Sequence, residues 1–218
     1  MLSLPSLPET HDLLRLSSLE LEQASAVKPE WVNAALKASP WVVVRRASTN
    51  GNLVPVGVRG KERAQRWAGF VHPEQIAQIV PPNQLRESLA ENSRRGLRAF
   101  DSLRFLGMKV ALIALDWGPG GSTGFELVSG SPIVTETSDL DIVIRAPEPF
   151  DRAFARSICI QLEGAPARVD VLVETPCCGF SLDEYANSQL DKVLVRTHAG
   201  RILAEDPWDV RGGRQSWT

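Results

Sequence analysis

The sequence predicts an α+β fold in two domains, and three observations carry this expectation. Two alternating strand patterns, Asp139-Leu140-Asp141-Ile142-Val143-Ile144 and Arg168-Val169-Asp170-Val171-Leu172-Val173-Glu174, flank a stretch with Phe150, Phe154, Ile158 and Leu162 at helical intervals. Two apolar runs at 41–46 and 53–58 bracket an Asn50-Gly51 turn, the signature of a hairpin. Pro81-Pro82 then interrupts the chain between two periodic segments and marks a boundary. The predicted parts are a small α+β domain at 1–81, a mixed sheet with flanking helices at 82–210, and a polar tail at 211–218.

Taken in order, residues 1–27 contain Pro5 and Pro8 and then LLRLSSLELEQ, a segment that the sequence assigns to no element. Pro29 suits the first turn of a short helix through Trp31, Val32, Ala35 and Leu36, and Pro40 ends it. The strand at 41–46 returns at 53–58, where Pro55, lacking an N–H, predicts an edge position. A helix is expected at 74–80, with Trp67 and Phe70 as helix-core residues. From Asn83 a long helical pattern runs through Leu85, Leu89, Leu97, Phe100, Leu103 and Leu106, weakened at Gly96 and Gly107. The apolar run at 108–115 fits either helix or buried strand. After the Asp-Leu-Asp strand, Pro147 and Pro149 introduce a helix that Gly164 ends. Ser181-Leu182-Asp183-Glu184 reads as a capping box, and 193–195 with 201–203 as a last hairpin around Ala199-Gly200.

With 218 residues, 43% hydrophobic and 23% charged, the chain has an ordinary globular composition and enough length to bury a core. A formal charge of -2 argues against a general nucleic-acid binder. Cys159, Cys177 and Cys178 have no metal-ligand or disulfide-framework spacing, so reduced structural thiols are expected. No basic leader and no run of membrane-spanning length is present, which predicts a cytoplasmic protein without membrane partners.

The chemistry concentrates between Trp117 and Arg145. On a strand, Asp139 and Asp141 share one face while Leu140, Ile142 and Ile144 line the other. A rise of roughly 3.3 Å per residue puts their stems about 6 to 7 Å apart, from which carboxylates converge on divalent ions roughly 3.5 to 4 Å apart. Asp170, on a strand with Val169, Val171 and Val173 opposite it, supplies a third acid if the two strands are neighbours. Gly120-Gly121-Ser122 turns without a side-chain penalty and offers N–H groups and a hydroxyl to phosphate; Gly130-Ser131 is a second candidate. Together these suggest metal-dependent phosphoryl transfer with magnesium, an oxygen-seeking cation. Against it stands the plainer alternative of paired acids on a solvated strand edge. Arg45, Arg46, Arg59, Lys61, Arg63 and Arg66 gather in the first domain opposed only by Glu62; they suit phosphate oxygens, or else form a solvated face.

A Gly-Ser turn, an Asp-hydrophobic-Asp strand and an apolar strand with one Asp resemble the nucleotidyltransferase superfamily that includes DNA polymerase beta. That likeness implies a nucleotidyltransferase-like sheet, a triphosphate held by Gly121-Ser122 or Gly130-Ser131, and two Mg2+ ions held by Asp139, Asp141 and Asp170. The run from Ser122 to Asp139 is longer than the superfamily pattern, and an extended hairpin of 125–128 with 132–134 is one way to fill it. More narrowly, WGPGGSTGFELVSG, SDLDIVIRAP and RVDVLVETP, with HDLLRL, VVVRRA and PVGVRGKERAQRWAGF, resemble the malonate decarboxylase holo-acyl-carrier-protein synthases, or phosphoribosyl-dephospho-CoA transferases. The resemblance covers nearly the whole chain and favours helix for 108–115, leading into the Gly-Ser turn. It implies triphosphoribosyl-dephospho-CoA as donor and a serine of the apo acyl-carrier subunit of malonate decarboxylase as acceptor. It also gives Arg45, Arg46, Arg59 and Arg66 polyanionic partners. A nucleotidyltransferase placing AMP on another acceptor, and a non-catalytic binding module of the same fold, are the competing readings.

Overall fold

The computed structural model describes residues 7–24, 27–49, 51–62, 64–86, 88, 94, 96–109, 112 and 114–210. The chain divides into two compact units, Met1–Pro81 and Pro82–Thr218, each with its own six-stranded sheet. Both helices and strands contribute to the fold, which is α+β as the sequence predicts.

The first unit contains β1 (Leu13–Leu16), β2 (Glu22–Gln23), α1 (Glu30–Ala38), β3 (Trp41–Val44), β4 (Val54–Arg59), β5 (Arg66–Val71) and β6 (Ile76–Val80). Its strands pair antiparallel in the order β2-β5-β4-β3-β1-β6. Val42, Val44, Val56, Val58 and Trp67 share a core with Val32 and Leu36 of α1, so the alternate residues form the other face. LLRL, which the sequence left unassigned, is β1. It buries Leu13, Leu14 and Leu16 while Arg15 points to solvent.

Three expectations fail in this unit. Residues 74–80 are a 3-10 turn at Pro73–Gln75 followed by β6. Trp67 and Phe70 lie on β5, where Trp67 is buried in the sheet core. Pro55 sits on an interior strand, between β3 and β5. Its carbonyl accepts from the Arg45 N–H at 2.8 Å, so the absent N–H faces the same side, where β3 has already ended at Val44. The ladder loses one bond there, the reciprocal one to the Arg45 carbonyl, at the end of β3. Asn50 and Arg63 lie outside the described residues.

The second unit contains a 3-10 turn at Pro82–Arg86, then α2 (Arg98–Gly107), β7 (Asp116–Pro119), α3 (Gly121–Ser129), β8 (Leu140–Arg145), α4 (Arg152–Leu162), β9 (Val169–Glu174), β10 (Gly179–Ser181), α5 (Leu182–Asn187), β11 (Val193–Thr197) and β12 (Gly200–Ala204). The sheet runs β12-β11-β10-β9-β8-β7, and among the described strands only β8 and β9 are parallel, joined through α4. Asp151 caps α4 by accepting the Phe154 N–H at 2.7 Å, and Ser181 caps α5 by accepting the Glu184 N–H. Trp208 packs edge-on to Phe150 and Phe180 and donates to the Ala146 carbonyl at 2.9 Å, tying the chain after β12 to the end of β8.

Expectations fail in the second unit too. Of the helical pattern from Asn83, Pro82–Arg86 is a 3-10 turn and Phe100, Leu103 and Leu106 lie on α2; residues 87, 89–93 and 95 and the 211–218 tail lie outside the described residues. Strand β7 stands directly before the Gly-Ser turn; of the 108–115 run expected to be helix, Leu112 is helical and residues 110, 111 and 113 lie outside the described residues. The alternative hairpin of 125–128 with 132–134 is replaced by α3, with Phe125 and Leu127 buried. The connector to β8 is fastened to that helix by Glu126. This carboxylate, 4% exposed, accepts from Arg94 Nε at 2.9 Å and from the Ile133 and Val134 N–H groups at 2.8 and 2.7 Å. The pairing raises the Arg94 pKa above its usual value. Glu126→Ala strands those donors, and should lower stability by about 2 kcal/mol, or roughly 5 °C in Tm by calorimetry.

Candidate active site

Leu140, Ile142 and Ile144 are fully buried, which fixes the phase of β8 and turns Asp141 to the opposite face, where it is exposed. β9 runs beside it in a register that sets Asp141 directly against Asp170. In-register residues of a parallel pair point to the same face, so the two carboxylates are neighbours across strands about 4.8 Å apart. Asp139 precedes β8 by one residue, and the Leu140 N–H donates to the Arg168 carbonyl at 2.9 Å. The register therefore carries Asp139 toward Arg168. All four residues lie at the amino end of the β8–β9 pair.

The glycine turn is delivered to the same end by β7, which pairs with β8 through Pro119 opposite Ile142. Gly120 donates its N–H to the Asp141 carbonyl at 2.9 Å. Gly121 has φ +51°, a conformation that glycine adopts at little cost, and a Cβ there would overlap the Asp141 carboxylate. Helix α3 begins at this point with no side-chain cap and no acidic residue in its first turn. The first N–H groups of a helix have no intrahelical acceptor and carry its positive dipole end, so the turn is suited to an anion. Ser122 is half-buried there, and the hydroxyl of Thr123 is buried without a hydrogen-bond partner.

Gly130-Ser131 is at the other end of α3, where Gly130 closes the helix with φ 70°. That end presents carbonyls and the negative dipole end, which suits an anion poorly. The structure thus puts Gly121-Ser122 beside the acids and Gly130-Ser131 away from them.

The expected cluster of three carboxylates does not close in this side-chain arrangement. Among the described residues, no group of three or more His, Cys, Asp or Glu is gathered so as to hold a metal ion. Asp170 Oδ1 is paired instead with Arg168 Nη2 at 2.7 Å. A cation already stands among the acids, and it is a guanidinium. Carboxylate oxygens on an in-register strand pair are donors of the type that suits a hard divalent ion. Arg168 was missed from the sequence, although strand alternation puts it on the face of Asp170 two residues on.

Next to this lies a hollow of about 550 Å3, whose lining includes Arg98, Cys159, Glu163, Arg168, Asp170 and Asp183. Arg98 Nε donates to the Pro166 carbonyl at 2.6 Å and steadies the loop before β9. Partial burial, with Asp183 nearby, pushes the Cys159 thiol pKa up, away from the reactive thiolate. Cys177 and Cys178 are buried, and all three cysteines are free thiols, as expected.

In the first unit, Arg59 and Arg66 stand directly opposite each other across β4 and β5. Arg45 extends the line of Val43, which pairs with Gly57, and its side chain lies against Gly57, on the same face as Arg59. Arg45, Arg59 and Arg66 therefore share the sheet face away from α1, whereas Arg46 lies beyond the end of β3. No helix among the described residues is long and apolar enough to cross a membrane.

Comparison with known proteins matches each half of the chain to its own family model. The family model for the phosphoribosyl-dephospho-CoA transferase MdcG C-terminal domain matches residues 84–207, and that for its N-terminal domain matches residues 9–82. A phosphoribosyl-dephospho-CoA transferase of Pseudomonas aeruginosa is 39% identical over 93% of this chain and 95% of its own length. Those of Klebsiella pneumoniae and Azotobacter vinelandii are 36% and 35% identical, each over 93% of this chain and over 97% and 95% of their own lengths. No solved structure matches. With both halves matched by the family's own models and relatives aligned end to end, the chain belongs to the phosphoribosyl-dephospho-CoA transferase family.

Proposed function

We propose that the protein transfers the phosphoribosyl-dephospho-CoA group from 2'-(5''-triphosphoribosyl)-3'-dephospho-CoA to a serine of the apo acyl-carrier subunit of malonate decarboxylase, by nucleotidyltransferase-type chemistry in the cytoplasm. The observation that carries this reading is the in-register pair of Asp141 and Asp170 beside the uncapped start of α3. Gly121-Ser122 takes the triphosphate oxygens, in preference to Gly130-Ser131. Asp139, Asp141 and Asp170 would hold two Mg2+ ions. When bound, these supply charge neutralisation at the α-phosphate and the departing diphosphate and lower the pKa of the attacking hydroxyl.

The serine oxygen forms a bond to the α-phosphorus, the bond from that phosphorus to the β-phosphate oxygen breaks, and diphosphate leaves. The hydroxyl proton passes to the Asp170 carboxylate and from there to water. Positioning and electrostatics supply most of the acceleration in such a transfer. Arg45, Arg59 and Arg66, with Arg46 next to them, give the first unit a basic face for the anionic substrates, either the donor's phosphates or an acidic carrier.

Mass spectrometry of the apo carrier protein tests this after incubation with enzyme, magnesium and triphosphoribosyl-dephospho-CoA, with ATP in a parallel tube. The expected result is a mass gain of one prosthetic group in the first tube alone. A gain of AMP in the second would identify a nucleotidyltransferase of other specificity, and no gain in either would overturn the transferase reading.

A further inference from the structure

Resting on that reading, we propose that Arg168 is a cation with two places: it holds Asp170 in the metal-free protein, and grips the reacting phosphoryl group once a divalent ion has taken that carboxylate. The geometry sets the residues as a square. Asp141 of β8 pairs with Asp170 of β9, and Asp139 and Arg168 stand one residue before those strands, where the Leu140 N–H meets the Arg168 carbonyl. Two carboxylates directly opposite each other repel, and the guanidinium 2.7 Å from Asp170 offsets part of that repulsion.

The pair is weak enough to give way. Its side chains are 73% and 45% exposed, and an exposed ion pair costs a competing ion about fivefold in affinity at most, the equivalent of about 1 kcal/mol. Arg168 is released but not removed. Its stem stays anchored just before β9, and it also lines the hollow beside the acids. A planar fork of donors released at that point matches phosphoryl oxygens bidentately, and meets the charge that spreads over them in the transition state. Lysine carries the charge without the fork.

The test compares two readouts on the full-length protein. Mn2+ binding is measured by electron paramagnetic resonance with no substrate present, and carrier loading is measured separately. Arg168→Ala should bind Mn2+ about threefold to fivefold more tightly than wild type, because the competitor has gone. Its transfer rate should fall about 100-fold, because the phosphate grip has gone. Arg168→Lys should keep near-wild-type Mn2+ affinity with transfer between the two. A side chain that merely braced the fold would move both quantities the same way. Unchanged or weakened Mn2+ binding in the alanine variant, or unchanged transfer, overturns the proposal. If wild type binds Mn2+ and loads the carrier while the variant shows no such tightening, only the Arg168 assignment fails; wild type doing neither brings down the transferase reading as well.

Discussion

Asp141→Asn is expected to reduce carrier loading by about a thousandfold while the protein stays as stable as wild type or becomes slightly more so. The loss of activity stems from charge. An amide keeps the shape of the side chain but gives up the negative charge that a hard cation requires, and a loss of about 4 kcal/mol of transition-state stabilisation is a thousandfold in rate. The retained stability stems from position. Asp141 is exposed on the face away from Leu140, Ile142 and Ile144, so no core contact is lost. It also stands in register with Asp170, and like charges facing each other across strands cost about 0.2 to 1 kcal/mol, which the amide relieves. A Tm equal to wild type or up to about 3 °C higher should therefore accompany the lost activity. Asp139→Asn should behave alike in rate. Calorimetry and carrier loading on the same preparations decide the matter: a variant that turns over normally removes the acid from the site, and one that unfolds shows the aspartate to be structural.

This opposition of activity and stability also explains why the acids were legible in the sequence. Strand alternation in DLDIVI and RVDVLVE fixed which side chains share a face, and the buried Leu-Ile-Ile row enforces that phase. The partnership of the two strands was not in either pattern, and needed the parallel register. Local spacing misled at 74–80, because Ile76, Ile79 and Val80 recur at helical intervals. The sheet accepts this spacing through a register shift opposite Arg15 and Leu16, where Ile76 and Gln78 are matched and Ala77 is passed over. LLRL went unassigned because four residues carry little periodicity, and only pairing with both β3 and β6 makes them a strand. The hairpin alternative at 125–134 failed for a similar reason. A stretch opening GSTG has poor intrinsic helix propensity, yet Gly124 must approach the Pro119 carbonyl more closely than a side chain allows. Packing outweighed propensity.

Gly121→Ala should cost about a hundredfold in carrier loading and roughly 2 to 3 kcal/mol in stability, whereas Gly130→Ala should cost about 1 kcal/mol and leave loading within a few-fold of wild type. Both glycines have positive φ, +51° and +70°, so each substitution introduces a similar backbone strain of about 1 to 2 kcal/mol. The surroundings of the new methyl group differ. At Gly130 it meets nothing within 4 Å, and strain is the whole effect. At Gly121 it would occupy the space of the Asp141 carboxylate, so either the acid turns aside or the start of α3 lifts off β8. Each response separates the phosphate-binding turn from the carboxylates, and a displacement near 1 Å at a reacting centre is worth about a hundredfold. Because strain is common to both, the difference between the variants isolates the contact between turn and acid. It also decides which of the two Gly-Ser turns holds the triphosphate. Equal losses of loading in the two variants would mean that the turn beside Asp141 has no special part in catalysis, and a larger loss at Gly130 would move the polyanion to the other end of the helix.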